Sequence, residues 1–157
     1  MEHLFSGSAL CAVDRHGRVA LPPFVRSMLE RRSDGRAVLF APHETDPCVS
    51  AFDRPYASLL HADTERRRIA EEQAGVAPAA HHARTRRLFG LAEEADFDGR
   101  GRLTLPPLAR RRSGVTTQAL FVGAGGSFEV WNPEAALASE DPALRDLAAF
   151  HLDTHSA

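Results

Sequence analysis

Asp14, Arg15, His16, Gly17 and Arg18 are consecutive, and a short apolar run and two prolines follow, giving DRHGRVALPP over 14–23. Those residue types admit three chemistries. A carboxylate beside an imidazole is the material of general acid–base catalysis. A glycine turn edged by cations can hold a phosphate or another anion. Arginines on a turn can pair bidentately with carboxylate, phosphate or guanine. A fourth reading is architectural. An Asp at a strand end accepts backbone N–H bonds of the turn, and a Gly three residues on takes a positive φ without steric cost.

A second copy separates these readings. VDRHGRVALPPFVR (13–26) aligns without gaps on FDGRGRLTLPPLAR (97–110) at a constant offset of 84, with seven identities in fourteen positions. At average residue frequencies this is far beyond chance. The identities are Asp14/Asp98, Gly17/Gly101, Arg18/Arg102, Leu21/Leu105, Pro22/Pro106, Pro23/Pro107 and Arg26/Arg110. Upstream, Leu4-Phe5 falls on Leu88-Phe89 at the same offset. Downstream, RAVLFAP (36–42) resembles QALFVGA (118–124), and VSAFDRPYA (49–57) resembles FEVWNPEAA (128–136). His16 faces Arg100 in the second copy, so the histidine belongs to no chemistry the copies share. Asp14, Gly17, Asp98 and Gly101 are accounted for by turn structure. Arg15, His16, Arg18, Arg100 and Arg102 are not required by it. These five are the candidate binding residues, against the ordinary reading of loop charge as solvation.

Each copy predicts the same series of elements. An extended segment ends in the acid, a glycine turn follows, and a short strand alternates through RVAL or RLTL. A helix opens at the two prolines, where a missing N–H costs nothing. A strand, a turn and a second strand come next, then a helix starting at Pro55 or Pro133. GAGGS (123–127) reads as a hairpin turn. The stretch from Arg54 to Leu88 carries long helical signals, with Gly75 as a stop. DPALRDLAAFHL reads as an amphipathic C-terminal helix with Leu144, Leu147, Ala148 and Leu152 near helical spacing.

Composition bounds the rest. The 157 residues suffice for one domain or two small units sharing a core. Net charge is -2, so the chain as a whole is not a basic nucleic-acid binder. Five acids lie between Pro133 and Ala157, against one arginine, which leaves the remainder slightly basic. There is no lysine, so every such cation is a planar guanidinium. No run is long enough to cross a bilayer. MEHLFSGSAL has no basic leader region, and two cysteines make no disulfide framework, so a reducing cytoplasm is the expected compartment.

The paired units, about 80 residues apart, resemble the MraZ family, whose D-x-x-x-R signature is matched by Asp14–Arg18 and Asp98–Arg102. The resemblance runs from LFSG near the start to FEVWNPEAA near the end, and includes the LFVG strand and Trp131. It implies an α+β, mainly β fold. Two tandem swapped-hairpin units of AbrB/SpoVT type would form one pseudo-twofold, barrel-like body with flanking helices. The expected division is a first unit at 3–58, a helical connector at 59–86, a second unit at 87–138 and a C-terminal helix or tail at 139–157. The implied function is transcriptional regulation, with repression the expected direction, of the division and cell-wall gene cluster. The implied partners are promoter DNA, as short G-rich direct repeats upstream of the chain's own operon, and further copies of the chain in a ring. The implied location is cytoplasmic and nucleoid-associated. Arg18 and Arg102 are the family's DNA-facing positions. A lysine often stands in that family where this chain has His16, which is largely neutral at pH 7. Arg15 beside it is the candidate substitute.

Other readings are weaker. No Walker loop, G-x-S-x-G or zinc-type C-x-x-C is present, and no enzyme, cofactor, metal or small-molecule ligand is expected. GAGGS precedes a strand rather than a helix, which is not the arrangement of a phosphate cradle. His81-His82 and His151/His155 offer two ligands each, too few for a site, and the latter pair reads as part of a solvated tail. Cys11 sits in an apolar stretch as a small core residue. Arg66–Arg68 read as a solvated helix face; Arg110–Arg112 lie near the predicted DNA edge or a subunit contact. The alternative function is a ring-forming structural protein of the same fold with weak or no DNA binding, which low net charge and His16 would suit.

Overall fold

The turn, strand and helix of each repeat form in the same way. Two strands, β1 (Ser8–Ala12) and β2 (Arg18–Ala20), flank the first turn in this computed structural model, which describes residues 3–156. β5 (Glu93–Asp96) and β6 (Arg102–Thr104) flank the second. Helices α1 (Pro23–Arg32) and α4 (Pro107–Ser113) begin at the second proline of each pair, with Pro22 and Pro106 as extended N-caps. Proline's fixed φ suits the first helical position, where no intrahelical donor is needed.

A hairpin follows each of these helices: β3 (Ala37–Pro42) with β4 (Val49–Phe52), and β7 (Gln118–Gly123) with β8 (Phe128–Trp131). GAGGS closes the second hairpin, and the Ala124 N–H donates to the Ser127 carbonyl at 2.9 Å. Helix α2 (Arg54–Gln73) is capped by Asp53, whose carboxylate accepts from the Tyr56 N–H, and α5 (Pro133–Leu137) is capped by Asn132. Such caps satisfy donors that a first turn leaves unpaired. α2 stops just before Gly75, where φ is +76°. α3 (Ala79–Thr85), a π-helical turn (Arg86–Gly90) and α6 (Pro142–Ser156) complete the chain. No described helix is long and apolar enough to cross a membrane.

The fold is α+β with mostly antiparallel sheet. Six strands run in the order β1-β7-β8-β4-β3-β5, and β2 pairs with β6 in a separate two-stranded ribbon. The two hairpins sit side by side in the middle, and each outer edge is a strand of the other copy. β1 of the first copy adds to the second copy's hairpin, Ser8 opposite Val122 and Ala12 opposite Gln118. β5 of the second copy adds to the first copy's hairpin, Ala37 opposite Asp96. The two hairpins meet where β4 pairs with β8.

Period-two alternation gives the sheet two apolar faces. Ala119 and Phe121 of β7 join Phe40, Val49, Phe128 and Val130 in the main core, beneath the ribbon's Val19 and Leu103. Leu120, Leu10 and Trp131 point the other way, into a smaller core closed by Ala136, Leu144 and Ala148. The C-terminal segment is thus packed rather than a solvated tail. His151 belongs to that packing, with Nε2 2.9 Å from the Ser8 hydroxyl. A second difference concerns the aligned phenylalanines. Phe5 is fully buried against Phe128, whereas Phe89, in the π-helical turn, is exposed, so that part of the repeat is one of sequence only.

Candidate nucleic-acid interface

The two turns are built alike from the residues up. Asp14 Oδ1 accepts the backbone N–H of His16 at 2.8 Å and of Arg18 at 2.9 Å. Asp98 Oδ1 accepts those of Arg100 and Arg102, both at 2.9 Å. Gly17 and Gly101 have φ of +81° and +78°, a region that glycine enters without a Cβ penalty. Each turn is closed by its own backbone, Gly17 N–H to Asp14 O and Gly101 N–H to Asp98 O, both 3.0 Å. The carboxylates are thus occupied with backbone donors, and no catalytic pair with His16 is formed.

These N–H bonds hold both carboxylates below the usual range, the bond from Arg18 first for Asp14 and that from Arg102 first for Asp98. A depressed folded pKa contributes stability that is present above the unfolded value and lost as pH falls through the folded one. The turns are therefore expected to loosen in acid below about pH 4, the ordinary Asp range. Amide hydrogen exchange at Arg18 and Arg102 against pH would show it. Asp98→Asn, which keeps an acceptor oxygen without the charge, is expected to flatten the profile at the second turn only. An unchanged profile would show that the carboxylate does not hold the turn.

The turns lead into the ribbon. Its register sets Arg18 opposite Thr104, Val19 opposite Leu103 and Ala20 opposite Arg102. Val19 and Leu103 are buried, which turns Arg18, Ala20, Arg102 and Thr104 together to solvent. With strand rise and spacing of ordinary size, Arg18 and Arg102 lie roughly 8 Å apart between Cα atoms. Ala20 and Thr104 are small, so the two guanidiniums stand above the face. Arg15, His16 and Arg100 are exposed on the turns that lead into the two strands. Arg15 Nε donates to His16 Nε2 at 3.3 Å, which uses the imidazole as an acceptor.

The copies also close on each other. The Leu21 N–H donates to Gly101 O and the Leu105 N–H to Gly17 O, both at 2.8 Å. A Cβ on Gly17 would lie 2.9 Å from Nη1 of Arg110, and one on Gly101 2.9 Å from Nη1 of Arg26. Each turn glycine is therefore covered by an arginine from the other copy's helix. Arg36 also borders the second turn, with Nη1 3.7 Å from where a Cβ of Gly99 would be. Arg26 and Arg110 are absent from the five candidates read from the sequence. Their signal was present, since both copies keep an arginine there, but it gave no hint that each serves the other copy's turn.

The two arginine triplets separate cleanly. Arg66 pairs with Asp63 at 3.1 Å, Arg67 with Glu44 at 3.0 Å and Arg68 with Glu65 at 3.2 Å. Arg110, Arg111 and Arg112 form no side-chain ion pair among the described residues, and neither do Arg100 and Arg102, whose backbone N–H groups and charges face Asp98. Arg18 is 3.8 Å from Asp14 across an exposed pair, which is worth little. The ribbon side of the molecule therefore gathers several arginines without a close side-chain ion pair, although the whole chain is acidic.

One group brings three metal-type donors together, His43, Cys48 and Glu129, with ligand atoms within 4.8 Å of one another. Hydrogen bonding explains it instead. His43 Nδ1 accepts the N–H groups of Thr45 and Asp46 at 3.2 and 3.0 Å. Its proton therefore sits on Nε2, which faces Glu129 at 3.3 Å, so no lone pair is free for a cation there. Trp131 Nε1 donates to the other Glu129 oxygen at 2.8 Å. Burial pushes the Cys48 thiol up, and likewise Cys11 to about 11, so neither is a ready thiolate.

A family model described as "MraZ protein, putative antitoxin-like" matches residues 88–135, which hold the second turn, the ribbon strand β6 and the second hairpin. A Bordetella pertussis protein named "Transcriptional regulator MraZ" is 32% identical over 145 residues, covering 92% of each chain. The chain belongs to the MraZ family. A relative of the same name from Herminiimonas arsenicoxydans is 31% identical over 141 residues, 90% of this chain and 91% of that one. One from Burkholderia vietnamiensis is 26% identical over the same length. The similarity to these MraZ relatives spans both copies, and so includes both ribbon strands.

Proposed function

We propose that this MraZ chain is a transcriptional regulator that binds double-stranded DNA through the β2–β6 ribbon. The observation that carries this reading is the register that brings Arg18 and Arg102 onto one exposed face while the nearby carboxylates are bound by backbone. A two-stranded ribbon fits the major groove, and an arginine can pair bidentately with O6 and N7 of guanine. A separation of roughly 8 Å between two such residues suits guanines two or three base steps apart. Arg15 and Arg100 on the turns, with His16, reach the sugar–phosphate backbone, which positions the ribbon without reading sequence.

The relatives' printed name supports regulation of transcription. The finer reading is a repressor of its own division and cell-wall operon, acting on short G-rich direct repeats upstream. Its units are residues 3–58 and 87–138, with 59–86 as connector and 139–157 as C-terminal element. Two base-reading arginines per chain give weak binding. A ring of copies on successive repeats would convert this into avidity. The test is fluorescence anisotropy with the chain's own upstream DNA across a salt series, with random DNA as competitor. Binding that survives the competitor and weakens linearly in log–log salt is expected. Equal affinity for both DNAs would overturn sequence-specific regulation, and weak or no binding to either would favour a ring-forming structural protein of the same fold.

A further inference from the structure

The paired arginines Arg26 and Arg110 occupy equivalent places but have different surroundings. Arg26 Nε donates to Glu30 at 2.9 Å, and its Nη2 donates to the Gly99 carbonyl at 2.9 Å. Its charge is therefore matched, and its fork ties the second turn to α1. Arg110 has neither contact. The position equivalent to Glu30, four residues after Arg110, is Gly114, the C-cap of α4. Its guanidinium lies over Gly17 without an acidic partner among the described residues.

Arg110 and His16 line the same open groove beside the ribbon. The two carboxylates of that groove are already committed. Glu93 accepts the N–H groups of Leu108 and Ala109 at 3.2 and 2.7 Å. Glu94 accepts from Arg54 Nε at 2.7 Å. Arg110 thus forms no ion pair with either carboxylate, and it lies beside the turn that carries His16 where the other turn carries Arg100.

We propose that the two copies have divided one task. Arg110 is a phosphate-binding residue that the second copy's helix supplies to the first copy's turn, beside Arg15 and His16. Arg26 is a positioning residue that fixes the second turn so that Arg100 and Arg102 meet the DNA in register. The proposal rests on the DNA-binding reading above and names further residues of that site.

Three arms test it on the full chain. In anisotropy with upstream DNA, Arg110→Ala is expected to weaken binding about tenfold near 0.1 M salt, and to reduce the salt slope by about one. Arg110→Lys restores both, because a phosphate contact needs only the charge. Arg26→Ala weakens binding at unchanged slope, and Arg26→Lys does not restore it, because an ammonium cannot span Glu30 and the Gly99 carbonyl as the planar fork does. In hydrogen exchange without DNA, Arg26→Ala exposes the amides of 99–102 in the other copy and leaves those of 15–18 protected. An unchanged salt slope in Arg110→Ala overturns the phosphate role. Unchanged exchange at 99–102 in Arg26→Ala overturns the positioning role. If the unaltered protein shows no preference for its upstream DNA, the function reading itself falls, while the exchange arm still decides whether Arg26 holds the turn.

Discussion

Arg18→Ala and Arg102→Ala are each expected to weaken specific DNA binding by 1–3 kcal/mol, about five- to 150-fold, while leaving the fold unchanged. Both side chains are exposed, and neither contributes to the core beneath the ribbon, where Val19 and Leu103 do the packing. Substitutions at such positions usually change stability by about 0.5 kcal/mol or less. On the proposed engagement of several repeats at once the loss multiplies, and the double variant is expected to bind upstream DNA no better than random DNA. Anisotropy with competitor, together with thermal melts of the same samples, checks both halves. Retained discrimination in the double variant would place sequence reading elsewhere on the molecule. A large fall in melting temperature would instead show that the arginines act through the fold.

Phe128→Ala is expected to destabilise the fold strongly. Phe128 is fully buried on the strand where the two hairpins meet, with ring centroids 5.0 Å from Phe5 and 6.1 Å from Phe121. Truncating such a ring removes its transfer free energy and leaves a cavity, for about 3–5 kcal/mol. For a chain of this size that lowers the melting temperature by on the order of 10 °C. Phe89→Ala is the control. Sequence alignment pairs Phe89 with buried Phe5, yet it is exposed in the π-helical turn, and its loss is expected to cost about 0.5 kcal/mol or less. Calorimetry of both variants separates the two environments. Similar losses would mean that Phe89 contributes to packing despite its exposed position.

Much of the local structure was legible because local chemistry dictates it. Asp, Gly and Pro-Pro have backbone requirements that hold wherever they stand, so the two turns, the short strands and the helix starts at Pro23 and Pro107 could be read directly. The candidates Arg15, His16, Arg18, Arg100 and Arg102 do fall on the turns and the ribbon. What periodicity does not carry is the identity of a strand's neighbour. Nothing in SALCA says that it pairs with QALFVG rather than with a strand of its own copy. For the same reason the contact of Arg110 with Gly17 was out of reach, since it depends on which copy's helix lies over which turn. His43 escaped notice because its partners, Glu129 and the turn amides, are joined only by folding.

The exchange of first strands also sets the order in which this protein can be made. β1 waits for β7, whose residues follow it by more than a hundred positions, and the β3–β4 hairpin has neither neighbour until β5 and β8 exist. A nascent chain that has just passed residue 75 therefore holds a hairpin with two open edges and two unpartnered strands, β1 and β2. Open edges are templates for wrong pairing, and long-range pairing is slow. Neither half is a finished product. The residues of β7 must leave the ribosome before the five of β1 have a permanent place.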